Sequence, residues 1–230
     1  MKSMDRNYIW DATEFSILLS LYGIDDVFMF PLIAEENVGR EPFLFAIYSL
    51  VESGYIYPTY SSDKSYALAS EIKKSLTPLA EASRILEFQY QADNPNKLVF
   101  GSKDSWTVVE PDSISNVYRV KPLDTDGILV WFDELPVWSA DRLDTDEEIS
   151  TLSAFDDRFK KIIDELSTNR AEYVKPVVRC LKNSEDNGCS LELVHLDGYM
   201  YMLARNRDGI ECCVYTEDSR KRIRSELFLT

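Results

Sequence analysis

The spacing of apolar residues changes along the chain, and this change limits the possible folds more than any other feature. Asp11 followed three residues later by Glu14 is a capping-box pattern, and helical spacing then continues to Gly23. The apolar positions of this predicted helix are Phe15, Leu18, Leu19 and Tyr22. The last quarter instead contains four strand-length segments, 175–183, 189–196, 199–206 and 210–216, separated by short turn sequences. Both patterns in separate stretches predict an α+β protein.

A polar stretch divides the two patterns. The segment "QADNPNK" at 91–97 contains a proline and no apolar periodicity, which is typical of a linker. We therefore predict a first domain over 1–92 and a second over 97–230. The chain has 230 residues, of which 45% are hydrophobic, and this is enough for one large or two small cores.

The first domain is predicted to continue with three more helices and a hairpin. Asp25 or Asp26 caps a short second helix that ends near Pro31, and Pro42 lies in the first turn of a third helix that runs to Gly54. The segments "YIYPTY" and "SYALA" are predicted strands around the turn "SSDK". A fourth helix is predicted to begin with Thr77 as its cap and Pro78 at its first position.

The junction "LVESGYIYP" followed by "YALA" resembles the helix-to-wing junction of winged helix-turn-helix proteins such as the MarR-type regulators, over about residues 1–90. The resemblance implies DNA binding by polar and basic residues on the third helix and the wing. Arg40 is, however, the single basic residue in "REPFLFAIYSLVESGY", and residues 1–90 hold thirteen Asp and Glu against seven Lys and Arg. The scaffold is therefore expected to have a different partner.

The outer face of the third helix is predicted to be aromatic and acidic. Its inward positions are Phe43, Ile47, Leu50 and Val51, which leaves Glu41, Leu44, Phe45, Tyr48 and Glu52 on the other side. Aromatic residues are favoured in protein interfaces. The predicted partner-binding residues are Glu41, Phe45, Tyr48 and Glu52, with Tyr57 and Tyr60 near the wing. The alternative is that these aromatics pack against the second half of the same chain.

The second domain is predicted to be built around an antiparallel meander with flanking helices. Strands over 97–100 and 105–110 form one hairpin, and strands over 115–123 and 128–135 form another around the turn "DTDG". Thr145 and Glu148 open an amphipathic helix. A turn at Asp197 and Gly198 places His195 opposite Met200. The last segment, 217–227, is a predicted helix, whose basic run Arg220–Arg224 is predicted to contact the protein's own acidic surface or solvent; an acidic partner or a phosphate backbone is the alternative.

Charge and residue usage exclude several kinds of chemistry. A net charge of −15 opposes nucleic acid and anionic membranes as main partners. His195 is the single histidine, and the four cysteines have no C-x-x-C spacing, so we predict no catalytic, cofactor or metal site. Cys212 and Cys213 are expected to be buried thiols on opposite faces of a strand. The acidic cluster 141–148 is interpreted as a helix start; a divalent cation or a basic partner is the alternative.

These observations predict a non-enzymatic protein that binds another protein or forms a homo-oligomer. The absence of a signal-like segment and of an apolar run of about 18 residues predicts a cytoplasmic location. Three alternatives remain: a DNA-binding transcription regulator that gathers its few basic residues by dimerisation, a chaperone or accessory factor for a secreted partner, and an enzyme that uses carboxylates alone.

Overall fold

The structure is a computed structural model and describes residues 6–24, 38–60, 65–88, 96–112, 115–135, 157, 160–161, 164, 172–183, 190–196, 199–206 and 209–229. The chain forms two compact units. The first contains Met1–Ala82 and Phe100–Leu123, and the second contains Ser83–Val99 and Asp124–Thr230. Each unit is thus built from two stretches of chain, whereas the sequence predicted a single boundary between 92 and 97.

The described part of the chain is α+β with antiparallel strand pairs, as predicted. Its elements, in chain order, are β1 (Tyr8–Asp11), α1 (Ala12–Tyr22), α2 (Arg40–Glu52), β2 (Ile56–Pro58), β3 (Tyr66–Leu68), α3 (Ser70–Ala80), β4 (Arg84–Phe88), β5 (Lys97–Ser102), β6 (Ser105–Asp112), β7 (Val117–Asp124), α4 (Thr125–Asp133), β8 (Glu172–Asn183), β9 (Ser190–Leu196), β10 (Tyr199–Asn206), β11 (Gly209–Val214) and α5 (Glu217–Phe228). None of the described helices is long and apolar enough to cross a membrane.

Helix α1 begins and ends where the sequence predicts. The Glu14 backbone N–H donates to Asp11 Oδ1 at 2.8 Å, and the Asp11 N–H donates to Glu14 Oε2 at 3.1 Å, which completes the capping box. Gly23 ends the helix in the left-handed region with φ of 96°, where a side chain would be strained. The predicted second helix lies in 25–37, outside the described residues.

The core of the first unit is centred on stacked aromatic rings. Trp10 stacks on Tyr8 at 5.0 Å and on Phe15 at 5.9 Å, and Tyr55 meets Trp10 edge-on at 6.0 Å. Tyr118 of β7 packs on Phe15 at 4.8 Å. The sheet of this unit contains β1, β7 and β6 in that order, with β1 antiparallel to β7. Strands β2 and β3 form a separate antiparallel hairpin, as predicted.

The predicted start of the fourth helix at Thr77 is wrong. Helix α3 begins at Ser70 and contains Pro78 near its end. Its buried face has helical spacing that starts earlier, at Ile72, Ser75, Leu76 and Leu79. Thr77 donates its hydroxyl back to the Lys73 carbonyl at 2.9 Å instead of capping. Pro78 lacks a backbone N–H, but it lies two residues before the end of α3, so the helix loses one hydrogen bond in its last turn and continues to Ala80.

The second hairpin predicted around "DTDG" is also wrong, because 125–133 is helical. Asp124 caps α4 by accepting from the Gly127 N–H at 2.8 Å, so the predicted β-turn is a helix start. The apolar run 128–132 has strand composition, but Ile128, Trp131 and Phe132 share one buried helical face. Phe132 contacts Phe88 of β4 at 6.2 Å and Phe228 of α5 at 5.4 Å between ring centroids. These distant partners favour the helix over the strand.

The predicted meander is confirmed in the second unit. Strands β8, β9, β10 and β11 pair antiparallel in sequence order, and β4 pairs with β8 on the other side. The backbone register places His195 opposite Met200, as expected from a turn at 197–198. Helix α5 follows β11 and is capped by Thr216 through Ser219. The predicted helix start at Thr145 and the acidic cluster 141–148 lie outside the described residues; further along the same predicted helix, the described residues 157, 160 and 161 are helical.

Candidate protein-binding surface

Helix α2 packs on the rest of the first unit through one narrow face. Leu50 is fully buried and Ala46 is buried one turn earlier. The Ser49 hydroxyl donates to Glu14 Oε1 of α1 at 2.5 Å, which ties the two helices together on one flank. At the end of the helix, the Tyr55 N–H donates to the Leu50 carbonyl at 2.9 Å. The orientation of α2 about its own axis is therefore fixed by its buried side.

The opposite side of α2 presents four side chains in a line, which we call the outer stripe: Glu41, Phe45, Tyr48 and Glu52. The spacing of i, i+4, i+7 and i+11 places them within about 60° of one another, on the side facing away from Leu50. Phe45 is 73% exposed and Tyr48 is 67% exposed, so both are solvent-exposed rather than packed in a core. Glu41 and Glu52 are also exposed. The outward orientation predicted from helical spacing is confirmed for all four.

The two predicted wing tyrosines are exposed as well. Tyr57 in β2 is 52% exposed, and Tyr60 just after that strand is fully exposed. Among the described residues, eight large hydrophobic side chains are exposed, and five of them lie between Leu44 and Tyr60. Isolated exposed apolar residues are normal on a protein surface, whereas such a concentration in 17 consecutive positions is typical of an interaction surface.

The outer stripe has no positive charge of its own. Arg40 precedes it in sequence but lies about 100° around the helix from Glu41. In the part of the chain that the structure describes, no salt bridge involves Glu41 or Glu52. Two carboxylates thus flank two exposed rings with no salt-bridge partner among the described residues.

The basic run on α5 is partnered within the second unit, as predicted. Arg224 and Arg220 both reach Asp133 at the end of α4; the Arg220 Nε lies 3.7 Å from Asp133 Oδ1. Lys221 pairs with Asp218 and Glu217, and Arg222 pairs with Glu226. Sequence reasoning missed Asp133, because nothing in its local pattern indicates a partner 91 positions away.

Two of the described side chains, one in each unit, have a pKa raised above its ordinary value. Burial raises the pKa of the Tyr118 phenol in the first unit. In the second unit burial also raises the pKa of the Cys213 thiol, with Glu211 and Glu226 adding to the rise and Arg222 opposing it. Cys212 is fully buried and Cys213 is half-buried. Within the described ranges, no group of three or more His, Cys, Asp or Glu side chains is placed to hold a metal ion.

No protein-family model matches the chain, and no curated protein is similar enough to it to assign a relative. The fold and the outer stripe are therefore the observations on which a functional proposal rests.

Proposed function

We propose that this protein is a non-enzymatic interaction module that binds another protein through the outer stripe of α2, together with Tyr57 and Tyr60. The observation that carries the proposal is the concentration of five of the eight exposed large hydrophobic side chains between Leu44 and Tyr60. Aromatic side chains at the centre of an interface contribute large contact area at low conformational cost.

The charge of this surface supports a protein partner over nucleic acid. A phosphate backbone is bound by Lys and Arg, and the outer stripe instead carries two carboxylates. The net charge of −15 opposes encounter with polyanions at long range. The order α1, α2, β2, β3, α3 supports a winged-helix-like scaffold for the module. We also propose a cytoplasmic location, because the cysteine spacing does not favour a secreted disulfide framework.

The proposal is tested by capturing partners with three tagged full-length proteins: the wild type, a Phe45→Ser/Tyr48→Ser variant, and a Val130→Ser control. Val130 is 56% exposed on helix α4, and so the control removes an exposed apolar side chain elsewhere. We expect a stoichiometric partner that the wild type and the control retain, with or without nuclease, and that the double variant loses.

Stability must be measured in parallel. Because both rings are exposed, the double substitution is expected to change the free energy of unfolding by less than about 1 kcal/mol. A partner that the double variant recovers as well as the wild type does would refute the proposal. Loss of every partner on nuclease treatment would point to DNA binding instead.

A further inference from the structure

The order of residue types along the outer stripe is the same in both directions of α2. Its residues follow the order acid, ring, ring, acid, at intervals of four, three and four positions: Glu41, Phe45, Tyr48 and Glu52. The rise of 1.5 Å per residue places the two glutamates about 16 Å apart along the axis. The stripe therefore has a pseudo-twofold axis that passes between Phe45 and Tyr48.

This symmetry disfavours a second copy of the chain as the occupant. If two stripes met, antiparallel packing would place Glu41 of one copy near Glu52 of the other, and parallel packing would place each glutamate near its equivalent. Both arrangements bring carboxylates together at both ends of the contact. Like charges that face each other across an interface oppose its formation.

The same arrangement fits a basic partner. We propose that the occupant is a helical segment of a different protein, with two apolar side chains three positions apart and a Lys or Arg four positions outside each of them; this rests on the proposed function. Its apolar pair packs on Phe45 and Tyr48 by helix-on-helix contact. Its cations neutralise Glu41 and Glu52, which lack a salt bridge in the described part of the chain.

Arginine suits these positions better than lysine. Its planar guanidinium forms two parallel hydrogen bonds to a carboxylate and also stacks on an aromatic face. Glu52 lies one helical turn beyond Tyr48, so one guanidinium can reach both the carboxylate and the ring. An arginine-flanked segment is therefore expected to bind more tightly than its lysine equivalent.

The probe is a synthetic alanine-rich helical peptide of about 18 residues, with two leucines and two arginines in the stated pattern. A matched peptide carries glutamate in place of arginine. Binding to the full-length protein is measured by fluorescence anisotropy of the labelled peptide at low and high salt. We expect saturable binding of the arginine peptide that weakens with salt, and no binding of the glutamate peptide.

Two charge variants test whether the arginine peptide binds at the outer stripe. Glu41→Gln/Glu52→Gln is expected to weaken binding of the arginine peptide about tenfold. Asp126→Asn/Glu134→Gln removes the same charge from exposed positions of α4 and its C-terminal end and is expected to leave the affinity within about twofold. Equal losses in both variants would mean that the net charge alone attracts the peptide, and this would overturn the inference, as would the absence of saturable binding.

The inference and the proposed function fail in different ways. If Phe45→Ser/Tyr48→Ser abolishes partner capture but Glu41→Gln/Glu52→Gln leaves it unchanged, the stripe is an interface and the basic partner is wrong. If Phe45→Ser/Tyr48→Ser leaves capture unchanged, the proposed function itself fails. Sedimentation equilibrium adds one more outcome: a wild-type dimer that Phe45→Ser/Tyr48→Ser dissociates would make a second copy the occupant and would overturn the inference.

Discussion

A methyl group added at Gly101 in β5 would collide with the indole of Trp106 in β6. The ideal Cβ position lies 2.2 Å from Trp106 Cζ3 and 2.6 and 2.7 Å from two further ring carbons. Ordinary van der Waals contact begins near 3.4 Å, so the ring or the strand must move by about 1.2 Å. Trp106 is 4% exposed and is enclosed by the core of the first unit, which leaves the ring little space for such a movement.

We therefore expect Gly101→Ala to lower the free energy of unfolding by about 1–3 kcal/mol, the usual range for overpacking a filled core. For a chain of this size the melting temperature should fall by roughly 2–4 °C for each kcal/mol. Thermal and urea unfolding followed by circular dichroism measure both quantities.

A second substitution shows whether the indole is the cause. Trp106→Leu alone is expected to destabilise the protein by about 1–3 kcal/mol, because it leaves a cavity. It also vacates the space that the new methyl group needs. Gly101→Ala/Trp106→Leu should therefore be at least about 1 kcal/mol more stable than the sum of the single effects predicts. Strict additivity, or a Gly101→Ala variant as stable as the wild type, would refute the steric reasoning.

Two further predictions concern the second unit. Asp133→Asn is expected to lower the free energy of unfolding by about 1–3 kcal/mol, because it removes the carboxylate shared by Arg220 and Arg224; Asp126→Asn, at an exposed position of the same helix, should change it by less than about 0.5 kcal/mol in the same urea titration. Because the pKa of the Cys213 thiol is raised in the folded state, the folded protein keeps the thiol proton at a pH where the unfolded chain has lost it. The contribution of this thiol to the free energy of unfolding is therefore complete below about pH 8.5 and is lost as the pH rises further. Wild-type protein should then lose more stability than Cys213→Ser between pH 7 and pH 10, in the presence of a thiol reductant, and an equal loss in both proteins would contradict the burial of this thiol.

The elements that the sequence predicted correctly are those specified by neighbouring residues. Helix α1 has its cap at Asp11, its apolar spacing and its stop at Gly23 within thirteen positions. The two-residue segment between two strand-length runs predicted the register of β9 and β10, and the observed pairing places His195 opposite Met200. The outward orientation of Phe45 and Tyr48 follows from helical spacing once Leu50 is assigned to the core.

The elements that the sequence predicted wrongly depend on contacts between distant residues. The run 128–132 has the composition of a strand, and its conversion to α4 depends on Phe132 packing on Phe88 and Phe228. The partnership of Asp133 with Arg224 spans 91 positions, and each compact unit is assembled from two separate stretches. A local pattern contains no information on such pairings, so propensity gives the wrong answer where tertiary packing decides.

The exposed rings of the outer stripe are not explained by the folding of α2. Leu50 and Ala46 hold α2 on one side, so folding does not require apolar residues on the opposite side. Ser49, on the flank of the helix, donates its hydroxyl to Glu14. Phe45 and Tyr48 keep most of their surface in water and so add little burial to the folded state. Replacing both by serine therefore leaves the fold intact while it removes the apolar contact area, so a loss of partner binding in a stable variant reports on the interface alone.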